Sequence, residues 1–256
     1  MSSHQQTVQD QFDPRAQAYL TSAVHAQGPD LKQAQALVGE WAKARAGKTR
    51  ALDVGTGGGH LSFALAPLLD RIVALDPSPQ MLATVAKAAA ERGLHQIAFQ
   101  EGSAEALPFP DASFDLVVTR YSAHHWLELD RAMAEIRRVL APGGALLVID
   151  TEGDPSVLVD THLQAIELLR DRSHVRNRSA AEWRALLGAA GFTVLSHQAW
   201  PLRLEFTSWI ERMRTPADRA AIIRSLQQDA PQEVKDALAF EADGSFSIRT
   251  GLFWAR

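Results

Sequence analysis

The sequence predicts an α/β fold: an open, doubly wound, mostly parallel sheet of seven strands with an antiparallel last strand, an N-terminal helical arm and a helical insertion. Three observations predict it. Between Ala51 and Asp150, short apolar β-competent runs alternate with stretches of helical apolar spacing. The first of these runs ends in a glycine-rich loop, Gly55 to Gly59, that opens a helix. The last run, Ser245 to Ala255, follows a long helical stretch and not a regular crossover, so it is expected to return as a hairpin-like antiparallel strand.

The elements follow in order. Phe12 to Lys43 reads as helical with a break at Gly28-Pro29. Ala51 to Gly55 is a buried strand, Leu61 to Leu69 a helix, and Arg71 to Asp76 the next strand, which makes a βαβ unit and forces parallel pairing. Ser78 to Arg92 is an Ala-rich helix, with Pro79 where an N-terminal proline is tolerated and Gly93 as its stop. Ile97 to Gln100 and Phe114 to Arg120 are strands, Leu129 to Leu140 is a helix broken by Pro142-Gly-Gly144, and Ala145 to Asp150 is a fifth strand. Beyond it, Val157 to Arg170 is helical, and Ser179 and Glu182 form a capping box for a helix ending at Gly191. Phe192 to Trp200 is a strand, and Thr207 to Phe240 is helical with interruptions at Pro216 and Pro231. No solenoid-period repeat or low-complexity linker interrupts the chain. The expected organisation is one domain over 1–256: an arm at 1–45, a ligand-binding core at 46–150, and a C-terminal half at 151–256 with an insertion near 201–244.

Composition narrows the class. The 256 residues are 46% apolar and 22% charged with a formal net charge of −4, ordinary values for a globular protein with a sizeable core. The basic residues are scattered, which speaks against a nucleic-acid footprint. Cysteine is absent, so disulfides, thiolate metal sites and cysteine nucleophiles are excluded. The N-terminal stretch is polar and contains Asp10 and Asp13, unlike a signal peptide, and no run approaches the length of a membrane span. A cytoplasmic protein is expected.

The central chemical signal is Asp53-Val-Gly-Thr-Gly-Gly-Gly59. Glycines let the backbone approach a ligand where a Cβ would clash, and the helix that follows offers unpaired N–H groups. Asp76 ends the next strand, about 20 residues on, where a carboxylate can accept both hydroxyls of a ribose. Together they point to a nucleoside-containing cofactor at the switch point of a Rossmann-like sheet. The third glycine of a dinucleotide fingerprint would fall at His60, and no Gly-Lys-Ser/Thr follows, so NAD fits poorly and a P-loop not at all.

These motifs resemble those of class I S-adenosyl-L-methionine (SAM) dependent methyltransferases. The glycine loop resembles their first motif and Leu75-Asp-Pro-Ser-Pro-Gln-Met81 their second. Glu101 to Asp115 resembles the stretch that holds adenine, and Arg137-Arg-Val-Leu-Ala-Pro-Gly-Gly144 the turn before the fifth strand. Arg120-Tyr-Ser-Ala-His-His-Trp126, Arg170 to Asn177, Thr215 to Arg219 and Ala18 to His25 resemble a bacterial subgroup of the ubiquinone/menaquinone-type methyltransferase family, mostly of undefined substrate. Many relatives carry Asp where this chain has Ser103. The resemblance implies methyl transfer from SAM to a small-molecule acceptor, with carbon or oxygen favoured and S-adenosylhomocysteine as product. It implies that Gly55, Thr56 and Gly57 pack on the cofactor and that Asp53 holds the loop and the amino-acid end. Asp76 would bind the ribose, Pro77 and Met81 flank the adenine, Ser103 and Ala104 meet its edge, and the Arg120 carbonyl lie near the methionine amino group.

Methyl transfer is an in-line displacement on an activated carbon, so the protein mainly aligns the reactants, and a base is needed only if the acceptor loses a proton. His124 and His125, after the fourth strand, are the candidate bases; Tyr121 stands with them as a catalytic candidate, more readily read as lining the pocket or stacking on the cofactor. Tyr19 and His25 are candidate lid residues on the arm, and His174 and Arg176 candidate binders of an acidic acceptor group; each is equally readable as a surface or capping residue. His60 reads as structural. Asp150, Glu152 and Asp154 face the ligand side, but no ligand spacing supports a metal. The apolar faces of 207–240 suit a lid or a homodimer surface. Two rivals stand beside the methyltransferase: an NAD-dependent oxidoreductase, disfavoured by His60 and by the lack of a Tyr-x-x-x-Lys pair, and a non-catalytic SAM-binding protein.

Overall fold

The computed structural model describes residues 3–20, 28–45 and 47–256, apart from the side chains of residues 3, 18 and 19. Seven strands form one sheet: β1 (Arg50–Val54), β2 (Arg71–Asp76), β3 (Ile97–Glu101), β4 (Phe114–Arg120), β5 (Leu140–Glu152), β6 (Val194–Leu204) and β7 (Phe246–Ala255), in the order β3-β2-β1-β4-β5-β7-β6. The pairings from β3 through β5 are parallel, and β7 runs antiparallel between β5 and β6, as its sequence context implies.

Alternation along the central strands explains why the sheet is buried on both faces. Leu52, Val54, Val117, Leu146 and Val148 pack on one face with Met133, Ile136, Trp183 and Leu187 from the helices Leu129–Val139 and Ala180–Ala189. Ala51, Leu116, Val118, Leu147 and Ile149 pack on the other with Val38 and Trp41 of the helix Pro29–Lys43 and with Leu61 and Leu65. Consecutive residues therefore serve opposite cores, and the runs look uniformly apolar in sequence.

Several elements differ from their sequence reading. The helix after the glycine loop is only His60–Leu65, followed by a 3₁₀ turn over Ala66–Leu68, because Pro67 removes a helical donor. β6 runs past Trp200 to Leu204 and contains Pro201; as an edge strand it pairs only with β7, which tolerates the missing N–H. β5 already starts at Leu140, and its register with β4 jumps from Phe114↔Leu140 to Leu116↔Ala145, so Pro142-Gly143-Gly144 is accommodated as an irregularity within the strand. Helical structure begins at Ser3, ahead of Phe12. The capping box is formed: Ser179 Oγ accepts from the Glu182 N–H and Glu182 accepts from the Ser179 N–H.

The insertion comprises the helices Phe206–Met213, Ala217–Asp229 and Gln232–Leu238. Apolar residues of the insertion are buried within the chain: Trp209, Ile223, Val234 and Leu238 join Leu163 and Ile166 of the helix Val157–Arg170 and Phe246 and Ile248 of β7 in a third core. No helix of the described residues is long and apolar enough to cross a membrane.

Candidate functional site

A deep cavity lies at the carboxyl ends of β1, β2 and β4, where the strand order reverses, the position this topology reserves for ligands. It measures about 1100 Å³, counting the space open to solvent at its mouth. The glycine loop is its floor. Gly55 and Thr56 N–H donate to the Leu75 carbonyl at 2.8 and 2.9 Å, which pins the loop to β2. Gly55, Gly57 and Gly59 adopt φ of +70°, +48° and +76°. The three have different duties. A Cβ on Gly59 would lie 2.5 Å from Val85 Cγ1 and 2.8 Å from Phe63 Cζ, so Gly59 serves helix packing, whereas a Cβ on Gly57 would meet nothing within 4 Å.

Two buried carboxylates fix the loop from below. Asp53 Oδ2 accepts from Thr56 Oγ1 at 2.8 Å and Ser62 Oγ at 2.7 Å, and burial holds its carboxyl above the ordinary range. Asp76 accepts from Ser78 N–H on Oδ1 at 3.0 Å and from Gly57 N–H on Oδ2 at 2.9 Å. Burial pushes its carboxyl up to about 6, against those two hydrogen bonds. Each Asp76 oxygen thus takes one backbone donor in a cavity wall and keeps lone pairs for further donors. Pro77, Met81, Ser103, Ala104 and Arg120 line the same cavity, as does His60, which the sequence reading had as structural.

The far wall is the helix Ser3–Phe12, which contributes His4, Gln5, Val8, Gln9 and Phe12. His4 Nε2 bonds the His125 carbonyl at 2.8 Å, Gln5 Nε2 donates to Ser103 Oγ at 3.0 Å, and Gln9 Nε2 donates to the Pro77 carbonyl. Arg15 Nη2 donates to the Met213 carbonyl at 2.7 Å and ties the arm to the insertion. The part of the arm that lines the cavity does so through residues the sequence reading did not single out. Tyr19 lies on the helix Ala16–Leu20, with its side chain outside the described residues, and His25 lies outside them entirely.

The end of β4 carries the remaining groups. Arg120 Nε donates to Asp30 Oδ2 at 2.6 Å in an ion pair with both side chains 5% exposed, joining β4 to the start of the helix Pro29–Lys43. The Arg120 guanidinium also lies 4.5 Å from the centroid of the Tyr121 ring. Tyr121 adopts φ +51°, its hydroxyl meets Thr250 Oγ1 at 2.8 Å, and burial pushes it up to about 12. Its hydroxyl therefore stays protonated at physiological pH, where it lines both chambers.

A second chamber adjoins the first and shares Phe12, Tyr121 and His125 with it. One side is apolar: Leu202, Leu204, Trp209 and Ile248, from β6, β7 and the insertion. The other carries His124, Glu167, Asp171, His174 and Asn177. His124 is held twice by Asp150, through its backbone N–H to Oδ2 at 3.0 Å and Nδ1 to Oδ1 at 2.6 Å. Burial disfavours its charged form, but Asp150, with Glu167 and Asp171 behind it, outweighs this and leaves the imidazole above its ordinary value. His125, whose Nδ1 faces the Ser173 carbonyl at 3.0 Å, is pushed the other way by burial and by His124, 4.1 Å away ring to ring. Burial and both neighbouring histidines lower His174 as well. The adjacent pair is thus split into a stronger and a weaker base, which residue order alone does not reveal. Arg176 is placed elsewhere: it bonds Asp160 Oδ2 at 3.0 Å and Glu182 Oε1 at 3.2 Å and lines neither chamber, so it braces two helices. Glu152 turns toward β6, where it meets His197 Nε2 at 2.5 Å.

Comparison with known proteins follows this geometry. A family model described as a methyltransferase domain matches residues 52–148. The chain is 36% identical over 225 residues to the uncharacterized methyltransferase YcgJ of Bacillus subtilis, covering 88% of this chain and 87% of that one. The crystal structure of YcgJ superposes with a TM-score of 0.80 over 88% of this chain and 97% of YcgJ, at 33% identity. The protein YafE of Escherichia coli K12 is 43% identical over 189 residues, 74% of this chain and 91% of YafE. A demethylmenaquinone methyltransferase of Thermus thermophilus is 40% identical over 109 residues, 41% of this chain and 49% of its own length.

Proposed function

This protein belongs to the SAM-dependent methyltransferases, and we propose that it methylates a small organic acceptor seated in the second chamber, at carbon or oxygen. SAM supplies a methyl group activated by the positive charge on sulfur. In this reading Asp76 takes the ribose hydroxyls, for which its free lone pairs and dry setting suit it, while Pro77, Met81, Ser103 and Ala104 flank the adenine. Asp53 and Arg120 bracket the amino-acid end. The observation that carries the proposal is the shared wall of Phe12, Tyr121 and His125 between the two chambers. A methyl passing from one to the other crosses a window lined by two aromatic rings and a neutral imidazole, which excludes water.

The proton, where the acceptor has one to lose, goes to His124. With Nδ1 paired to Asp150, Nε2 is the nitrogen that takes the proton in this reading. The carboxylate orients the ring and stabilises the imidazolium that forms. The quinone-type likeness of the core motifs favours an aromatic acceptor, and the apolar side of the chamber accommodates a ring. Transfer of labelled methyl from SAM to components of a cell extract tests this: a labelled product lost in His124→Ala is expected. Labelling that is unchanged in His124→Ala would overturn the base assignment, and the absence of any labelled product would overturn catalysis and leave the SAM-binding alternative.

A further inference from the structure

Asn177 lies in the wall of the second chamber, 1% exposed, and its Nδ2 is buried without a hydrogen-bond partner. Its backbone, by contrast, is fully engaged. The Asn177 N–H donates to Gln164 Oε1 at 3.0 Å, and its carbonyl accepts from Gln164 Nε2 at 2.9 Å. Gln164 is itself held by Asp160 Oδ1 at 2.8 Å and by His174 Nε2 at 2.8 Å. On the other side, a Cβ on Gly153 would come within 2.8 Å of the Asn177 carbonyl, so the close approach of the residue after β5 fixes the same residue. A side chain positioned from both flanks, with a polar end unsatisfied in a mostly buried wall, is unusual: buried amides are nearly always paired, and leaving one unpaired destabilises the free protein. A bound molecule that pairs it recovers that loss.

We propose that Asn177 determines which acceptors the second chamber takes, by hydrogen-bonding a neutral oxygen function, a hydroxyl or carbonyl, on the molecule to be methylated. This rests on the reading of that chamber as the acceptor subsite. A neutral amide satisfies a neutral oxygen group, whereas a purely apolar edge leaves it unpaired and a protonated amine brings an uncompensated charge against it. The rest of the polar wall agrees with a neutral guest, since Glu167 and Asp171 share the lining with Arg170 and Arg212. Asn177 is a specificity-determining residue in this account, and His124 remains the base.

The test uses three probes with one skeleton, 1-indanol, indane and 1-aminoindane, titrated by calorimetry into the full-length protein saturated with S-adenosylhomocysteine. Wild type should bind 1-indanol roughly tenfold more tightly than indane, a ratio worth about 1.4 kcal/mol. Asn177→Leu should bring that ratio close to one, and Asn177→Asp should shift preference toward 1-aminoindane. Unchanged affinity for S-adenosylhomocysteine and an unchanged melting temperature certify the fold, with Asn177→Ala in place of Asn177→Leu if the larger side chain unfolds the protein. Leu204→Trp, which fills the chamber, should abolish 1-indanol binding. If Leu204→Trp abolishes binding but the ratio survives in Asn177→Leu, the role of Asn177 is overturned and the acceptor subsite stands. If 1-indanol still binds Leu204→Trp, or binds wild type not at all, the subsite reading falls and the proposal falls with it.

Discussion

Replacing Asp76 by Asn should stabilise the ligand-free protein while weakening cofactor binding. The carboxyl is 7% exposed and titrates at about 6 against an ordinary 3.8, with burial as the main cause. Holding it ionised in the fold at pH 7 therefore costs roughly 3 kcal/mol relative to the unfolded chain. The sign follows from proton counting: between 3.8 and about 6 the folded state keeps a proton that the unfolded state has lost, so this contribution to stability falls as pH rises through that window and is flat above it. An amide removes the charge but keeps a single acceptor oxygen, so one of the two backbone donors, Gly57 or Ser78 N–H, loses its partner at about 1 kcal/mol. The net gain is about 1–2 kcal/mol, or roughly 2–8 °C in melting temperature for a chain of this size. The same change leaves one ribose hydroxyl facing a donor, and affinity for S-adenosylhomocysteine should fall roughly 30- to 1000-fold, the equivalent of about 2–4 kcal/mol. Scanning calorimetry between pH 4.5 and 8 and isothermal titration measure the two effects. A D76N protein that melts lower than wild type at pH 7, or that binds S-adenosylhomocysteine equally well, refutes the reasoning.

Other perturbations follow from the same geometry. Asp150→Asn removes the main influence raising His124 while burial remains, so the rising limb of the pH–rate profile should move to lower pH and the maximal rate should drop; an unmoved limb would exclude His124 as the titrating base. In wild type the stabilisation His124 contributes is complete below its ordinary 6.5 and is lost as pH rises through its higher folded value, so denaturant midpoints on the alkaline side should change less with pH in Asp150→Asn. Asp30→Asn removes the carboxylate paired with a buried guanidinium and should destabilise by about 3–5 kcal/mol, whereas the paired Asp30→Leu/Arg120→Met change should cost much less; equal losses in urea titrations would show that the pair is not coupled. Gly59→Ala drives a methyl into Val85 and Phe63 in addition to the backbone strain it shares with Gly57→Ala, so it should be the more destabilising by about 1–3 kcal/mol, and the reverse order in thermal melts would be inconsistent with the packing described.

How much of this was legible beforehand depends on sequence distance. The glycine loop, Asp76 and the Ser179 capping box are local: the φ values, the hydrogen bonds to Thr56, Ser62 and Ser78, and the helix starts involve residues within a few positions of one another, so residue type and spacing carry them. The alternation of βαβ units likewise announces the parallel sheet, because strand polarity follows from connection length. Register at Pro142-Gly143-Gly144 and the passage of Pro201 through an edge strand are decided by neighbouring strands, and propensity misplaced those boundaries.

The site divides in the same way. The floor of the first cavity is written in one contiguous loop and the acid that follows it. Contacts that link more distant parts of the chain complete both cavities: in the second chamber Asp150 reaches His124 and Gln164 clamps Asn177, and in the first Asp30 reaches Arg120 and the Ser3–Phe12 helix walls a floor of residues 53–57. Which of two adjacent histidines is the stronger base, and whether Tyr121 can ionise, are set by burial and by carboxylates on other elements. Local backbone chemistry repeats wherever its short motif occurs and can be read one residue after another, but the dielectric and the partner around a side chain exist only once distant segments have packed, and these decide what the second chamber can do.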